Sequence, residues 1–171
     1  LPPEAPSLII DSKQMLSKAS EDISQLSRSL NSDRISELGV FECILREANL
    51  LQQKELFDIS IVNQIEDTGK SLAKETQLLV FRMFQEICSN IIKHASATRV
   101  EINLKYKSKF IQLKISDNGK GFENQINNGG DSTYNGIGLR SMHSRTKLFG
   151  GELIIDSALQ KGTSISIFIP K

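Results

Sequence analysis

One stretch of the chain combines four side-chain types that could act together on a bound anion. Glu86, Asn90, Lys93 and His94 supply a carboxylate, an amide, an amine and an imidazole. An α-helix turns by about 100° per residue, so a helix here would bring the four side chains within about a third of a turn. Such a stripe could hold a metal-bound polyphosphate, or it could be the solvated face of an amphipathic helix.

Two glycine pairs lie downstream of this stretch. Asp117 ends an alternating apolar pattern and is followed by Gly119 and Gly121, which permit positive φ and close backbone approach to a flat ring or a phosphate. Gly136 and Gly138 precede a helical pattern, where free N–H groups would favour a phosphate. Asp-Asn-Gly is also common in turns and a lone Gly-x-Gly is weak, so neither pair is specific by itself.

The elements that must position these residues follow from the apolar spacing. Val80, Phe84, Ile87 and Ile91 recur at helical intervals, so the same helix could pack on a sheet and still present its polar stripe. The spacing as a whole predicts helices at 40–53, 74–94 and 138–149, and strands at 57–61, 100–106, 110–116, 152–156 and 163–170.

Half-buried alternation in the strands implies a sheet with one covered face. The predicted fold class is therefore α/β (α+β). It is a two-layer sandwich in which helices cover one face of a mixed, largely antiparallel sheet, preceded by a long N-terminal helix. Between the glycine pairs, residues 123–135 are polar and without periodicity, which predicts a mobile loop.

The N-terminal part of the chain predicts a separate element. Apolar residues from Ile9 to Leu30 follow a three/four spacing over about three heptads, so this helix needs an apolar partner, either other helices or the chain's own domain. Residues 31–33 predict a break before a short turn ending near Gly39. The predicted division is 1–36 for the helix and linker and 37–171 for the main domain.

Composition narrows the class of protein. The chain has 171 residues, 39% of them hydrophobic, and a formal net charge of +1, so neither nucleic acid nor an anionic membrane is the expected partner. No apolar run approaches the roughly 20 residues of a spanning helix, which predicts a cytoplasmic domain. Cys43 and Cys88 are expected to be buried free thiols. A start at Leu1 rather than methionine suggests an excised piece of a longer protein.

Taken in order, these motifs resemble the nucleotide-binding boxes of the GHKL superfamily, which includes histidine kinases, the gyrase and MutL ATPases and the ninety-kilodalton heat-shock chaperone. The resemblance covers roughly residues 50–170 and is carried by 85–95, 117–121, 136–145 and 162–163. It is strongest toward the catalytic, ATP-binding domain of bacterial sensor histidine kinases of the nitrate-sensor type. Each box is unspecific, but the ordered set is strong.

The resemblance implies how a base would be bound. Asp117 would accept a hydrogen bond from the adenine amino group, and Gly119 and Gly121 would let the backbone approach the ring. Thr163 would lie near the adenine, through a water, and Leu139 would be among the nucleotide contacts. The polar loop at 123–135 would be the ATP lid.

The resemblance also implies how the phosphates would be bound. Asn90 would ligate Mg²⁺ through its amide oxygen, and Lys93 would neutralise phosphate charge with His94 beside it. Gly136 and Gly138 would shape the lid hinge and contact the phosphates. The implied cofactors are therefore ATP and Mg²⁺.

The reaction depends on Glu86 and on the nucleophile. The resemblance implies that Glu86 assists attack by a histidine on the γ-phosphate, since phosphoryl transfer is mainly positioning and charge neutralisation. The family's acceptor is a histidine followed by an acidic residue, whereas His94 and His143 are followed by Ala95 and Ser144. The chain alone is therefore not expected to phosphorylate itself.

The implied partners are the phosphoacceptor helix of the same kinase, a response regulator and a second copy of the complete protein. Two alternatives remain from the sequence. One is a GHKL ATPase or serine kinase of the anti-sigma-factor type, in which water or a partner's serine receives the phosphate. The other is a non-enzymatic dimerisation or partner-binding module with a degenerate nucleotide site.

Overall fold

The computed structural model describes residues 15–16, 18–19, 31–65, 71–106, 110–123 and 137–170. Its main elements are, in chain order, α1 (Val40–Gln53), β1 (Asp58–Ile65), α2 (Lys74–Asn90), a π-helical turn (Ile91–Ala95), β2 (Arg99–Tyr106), β3 (Phe110–Asp117), α3 (Ile137–Leu148), β4 (Glu152–Ser157) and β5 (Thr163–Pro170). Most of the predicted N-terminal helix, nearly all of the predicted lid and Gly136 lie outside the described residues.

Five strands form one sheet in the order β1-β2-β3-β5-β4. β1 and β2 are parallel because α2 and the π-helical turn form the crossover between them, whereas the other three pairs are antiparallel. Side chains along β2, β3, β4 and β5 alternate between buried and more exposed positions, so one face of the sheet is covered. The predicted mixed, largely antiparallel sheet with helices on one face is confirmed.

The covered face of the sheet is built from aligned aliphatic rows. Ile102, Ile115 and Ile165 lie side by side across three strands, and each is at most 5% exposed. The apolar face of α2 packs on these rows, and its four predicted residues, from Val80 to Ile91, are all buried. The polar side of α2 therefore remains available at the carboxyl end of β3, as the helical spacing predicted.

Residues 31–38 are helical, where the sequence predicted a break and a short turn. The break lies instead at Gly39, whose φ of 85° ends this helical segment just before α1. Ile35 is 1% exposed and joins the core, so tertiary packing keeps the segment helical despite its polar start. The domain division at residues 36–37 stays a prediction.

Both cysteines are buried and unpaired with each other, as expected. Burial, with a smaller contribution from the charge of Glu47, raises the pKa of the Cys88 thiol to about 12, which makes it an unreactive core residue. In the part of the chain that the structure describes, no helix has the length and apolar character needed to cross a membrane.

Candidate functional site

A cavity of about 430 Å³ lies between α2, the ends of β3 and β5, the first turn of α3 and the loop at 120–122. Eight of the eleven predicted site residues line it: Glu86, Asn90, His94, Asp117, Gly121, Gly138, Leu139 and Thr163. Aliphatic and aromatic side chains supply most of the remaining wall, so a flat apolar ring could be buried between them. An apolar cavity with a few converging polar groups is the usual form of a ligand site.

The π-helical turn decides which part of the polar stripe reaches this cavity. A π-helix has more residues per turn than an α-helix, so each residue after Asn90 is rotated less than in a straight α-helix. His94 consequently lies on the cavity with Glu86 and Asn90. Lys93 is exposed and lines a second cavity of about 300 Å³ beside Glu47. The predicted cluster of four is therefore a cluster of three in the structure.

Asp117 lies at the end of β3 with its carboxylate held by backbone donors. The N–H of Gly119 donates to Oδ1 at 2.8 Å, and the backbone N–H of Thr163 on the neighbouring strand also donates to the carboxylate. Burial raises the pKa of Asp117, and the two N–H groups partly oppose that effect because they favour the charged form. The carboxylate keeps accepting capacity for a ligand in the cavity.

Gly119 does not line the cavity but fixes the loop behind it. A Cβ at this position would collide with the carbonyl oxygen of Ala95, at the end of the π-helical turn, and the N–H of Lys120 donates to that same oxygen at 2.8 Å. Asn118 holds the other side of this loop, because its Oδ1 accepts hydrogen bonds from the N–H groups of Thr98 and Arg99 at 2.9 and 2.8 Å. The loop after Asp117 is thus attached to the helix that carries His94.

Gly138 brings the start of α3 against the carboxylate of Glu86. A Cβ on Gly138 would lie 2.5 Å from Glu86 Oε1, so a side chain here would require the Glu86 carboxylate to move. The first turn of a helix carries partial positive charge, which stabilises a nearby carboxylate. Glu86 is half-buried on the cavity wall and is held beside Asn90.

Sequence reasoning missed Asn118 and Ser157, although both hold the site together. Ser157 lies at the end of β4, and its hydroxyl contacts the N–H of Phe122 and the hydroxyl of Thr163. The only sequence signal for Asn118 was its place after a strand-ending aspartate. Ser157 had no signal, because its partners lie in other segments of the chain.

Comparison with known proteins identifies the class to which this fold and cavity belong. Residues 74–171 match the family of histidine kinase-, DNA gyrase B- and HSP90-like ATPases. The chain therefore belongs to this ATPase family.

Within that family, the chain is homologous to sensor histidine kinases. It is 27% identical over 166 residues to the oxygen sensor histidine kinase NreB of Staphylococcus carnosus, covering 95% of this chain and 46% of that protein. It is 31% identical over 159 residues to the sensor histidine kinase LiaS of Bacillus subtilis, covering 92% of this chain and 41% of that protein. The chain thus spans less than half the length of these two relatives.

A solved structure supports the same fold. The histidine kinase domain of the blue-light activated histidine kinase from Erythrobacter litoralis EL346 superposes with a TM-score of 0.65 at 16% sequence identity. The match covers 95% of this chain and 84% of that domain. At this identity the likeness concerns the fold alone.

Gly162 is expected to tolerate a side chain less well than Gly150. Both have positive φ, 78° and 66°, but a Cβ on Gly162 would collide with the backbone carbonyl of Asp117, whereas at Gly150 the nearest atom is 3.5 Å away. Gly150→Ala should lower the free energy of unfolding by about 1–2 kcal/mol through backbone strain. Gly162→Ala should lower it by about 2–5 kcal/mol, because overpacking adds to that strain. Urea unfolding of both variants measures the difference, and equal losses would contradict the close contact.

Asp117 should make stability depend on pH in a defined direction. The pKa of Asp117 in the folded chain is raised above the ordinary value of 3.8. At a pH between 3.8 and the folded pKa, the unfolded chain has therefore released a proton that the folded chain retains. Stability therefore falls as pH rises through this window. The free energy of unfolding of the wild type relative to Asp117→Asn should decrease as the pH rises from about 3 through the folded pKa of Asp117.

Denaturant unfolding at a series of pH values measures this difference. Asp156→Asn, at an exposed carboxylate on β4, controls for the removal of one charge. A difference that rises with pH would mean that the backbone donors outweigh burial at Asp117.

Proposed function

We propose that this domain binds Mg-ATP and donates the γ-phosphate to a histidine on the dimerisation segment of a sensor kinase, for transfer to a response regulator. One observation carries the proposal. A single cavity in a histidine kinase-like ATPase fold has an acidic acceptor, Asp117, at one end and Glu86, Asn90 and His94 along α2. The amino group of a purine base needs an acceptor such as Asp117, and a metal-bound polyphosphate needs polar side chains such as those on α2.

The base of ATP occupies the apolar part of the cavity near β3 and β5. Ile91, Ile115 and Phe122 offer apolar side chains against which the flat ring can pack. Asp117 accepts a hydrogen bond from the exocyclic amino group, since an ionised carboxylate only accepts. Thr163 is next to Asp117 on the paired strand, at the same end of the cavity.

The phosphates extend along α2 toward the start of α3. Asn90, His94 and Gly138 line this part of the cavity, and the first turn of α3 offers partial positive charge. Lys93 is exposed in the π-helical turn that follows α2, and its long, flexible side chain is proposed to neutralise phosphate charge. Gly136 is proposed to contact them as well, on the strength of the sequence resemblance.

The polar residues fit a magnesium ion that arrives with its nucleotide. The described residues contain no group of three or more histidine, cysteine, aspartate or glutamate side chains that could hold a metal without other ligands. Mg²⁺ typically takes one or two protein oxygens and completes its shell with phosphate and water. Asn90 is the proposed protein ligand, and the ion would neutralise phosphate charge when bound.

Glu86 is the proposed catalytic residue. Its carboxylate lies on the cavity wall beside Asn90, where it can accept a proton from the attacking imidazole. The acceptor histidine belongs to the dimerisation segment of the complete kinase, because neither His94 nor His143 is followed by an acidic residue. In this proposal the complete protein acts as a dimer.

Mg-ATP should bind to this chain and lose affinity when Asp117 is changed to asparagine. A hydrogen bond to a charged acceptor contributes about 1.5–3 kcal/mol, so Asp117→Asn should weaken binding about tenfold or more. Calorimetric titration measures both affinities. Asp156→Asn is the matched control and should bind as the wild type does, since its carboxylate is exposed on β4.

Two results would contradict this assignment. Folded wild-type protein that binds no ATP would support a partner-binding module with a degenerate site. Equal affinities for the wild type and Asp117→Asn would remove Asp117 from the base contact.

Glu86→Gln should separate binding from phosphoryl transfer. With labelled Mg-ATP and the phosphoacceptor segment of the complete kinase as substrate, the variant should keep ATP affinity within about threefold. Its rate of phosphoryl transfer should fall by about 10²–10⁴-fold, the usual contribution of a general base. Glu75→Gln, at an exposed carboxylate in the first turn of the same helix, should transfer at the wild-type rate.

The chemistry of the product distinguishes the alternatives. A phosphohistidine is labile in acid and stable in alkali, and it should form on the added segment but not on this chain alone. An acid-stable phosphoserine would indicate a serine kinase, and free phosphate without a phosphoprotein would indicate an ATPase. A phosphohistidine on the isolated chain would contradict the predicted absence of an acceptor.

A further inference from the structure

Ser157 connects three parts of the cavity wall through one hydroxyl. The residue is 9% exposed at the end of β4. Its Oγ lies 3.0 Å from the backbone nitrogen of Phe122, 3.1 Å from the carbonyl oxygen of Gly162 and 2.9 Å from Oγ1 of Thr163. A serine hydroxyl has one proton to donate and two lone pairs, so three partners use its full capacity.

The chemistry of these partners decides the direction of each hydrogen bond. The N–H of Phe122 can only donate, so Ser157 accepts from it. The carbonyl of Gly162 can only accept, so Ser157 uses its single proton there. All three contacts can then be hydrogen bonds only if Thr163 donates its proton to the remaining lone pair of Ser157.

The hydroxyl of Thr163 therefore has no proton left for the cavity. We propose that Ser157 is a positioning residue that holds the Thr163 hydroxyl as an acceptor only, so that this wall favours a base with a donor at position 6. The inference rests on the proposed nucleotide function and deepens it. Asp117, the neighbour of Thr163 across the strand pair, is also an acceptor when ionised.

The same atom also fixes the loop that covers the base. Phe122 follows Gly121 in this loop. A Cβ added to Gly121 would collide with the carbonyl of Ala158 in the β4–β5 connection, so the loop and the β4–β5 hairpin are in close contact. Ser157 adds the hydrogen bond to Phe122 at this contact. Thr163 and the loop are consequently positioned by one buried hydroxyl.

The test compares ATP with ITP, whose base carries a 6-oxo acceptor in place of the 6-amino donor and an N1–H donor in place of the N1 acceptor. In Ser157→Ala the Thr163 proton becomes available to the 6-oxo group. The ratio of ATP to ITP affinity, measured by calorimetry, should fall about three- to tenfold, the effect of one hydrogen bond. Ser164→Ala is the matched control, because it removes a serine hydrogen bond, to Ser116, on the neighbouring strand without touching this network.

A double-mutant cycle tests whether Ser157 acts through Thr163. In a Thr163→Val background there is no hydroxyl to reorient, so adding Ser157→Ala should leave the ATP to ITP ratio unchanged. An equal loss of ATP and ITP affinity in Ser157→Ala would overturn the inference, since it would mean that Ser157 only holds the loop. A further fall of the ratio in the double variant would overturn it as well.

A second measurement does not depend on the folding of Ser157→Ala. Thr163→Val alone should weaken ATP about three- to tenfold more than ITP, because the 6-amino group can donate to the Thr163 hydroxyl and the 6-oxo group cannot. An equal loss for both nucleotides would overturn the proposed orientation. Absence of ATP binding to the wild type would overturn the proposed function together with this inference, whereas ATP binding with unchanged ratios would overturn the inference alone.

Discussion

The site depends on the close packing of one short loop against two other parts of the chain. Residues 119–122 leave no space for a Cβ at Gly119, which faces the backbone of Ala95, or at Gly121, which faces the backbone of Ala158. Two backbone hydrogen bonds of Lys120, one to Ala95 and one from Gln160, hold the loop on both sides. The end of the π-helical turn, the end of β3 and the β4–β5 connection are therefore fixed relative to one another.

This arrangement suits the proposed phosphoryl transfer, in which an enzyme mainly positions reactants and neutralises charge. The end of the cavity at Asp117, where the base is proposed to bind, is held by the sheet and by backbone donors to Asp117. The other end is built from helix residues, Asn90 and His94, whose relative orientation is set by the π-helical turn. Because the loop joins both ends, a shift at Ala95 would move the proposed base contact and the proposed phosphate contact together.

The fold was largely predictable because its pattern is local. β5 has its predicted bounds, 163–170, and β3 exceeds its prediction by one residue, since alternating isoleucines reveal a half-buried strand without any knowledge of its neighbours. The rotation of Lys93 out of the cavity was not predictable, because helical spacing assumes a regular α-helix. Nor was Ser157, whose partners are 35, 5 and 6 residues away along the chain and meet it only in the folded sheet.

Asp117 illustrates why such a site needs both burial and backbone donors. Burial alone would favour a protonated carboxyl. Such a group donates a hydrogen bond and would therefore favour a base that carries an acceptor at this position. The N–H groups of Gly119 and Thr163 favour the ionised form and leave the remaining lone pairs to the ligand. The donor from Gly119 requires the tight turn that the glycine permits, and the donor from Thr163 requires the β3–β5 register. In the proposed nucleotide complex, base selection thus depends on the backbone geometry as much as on the side chain of Asp117.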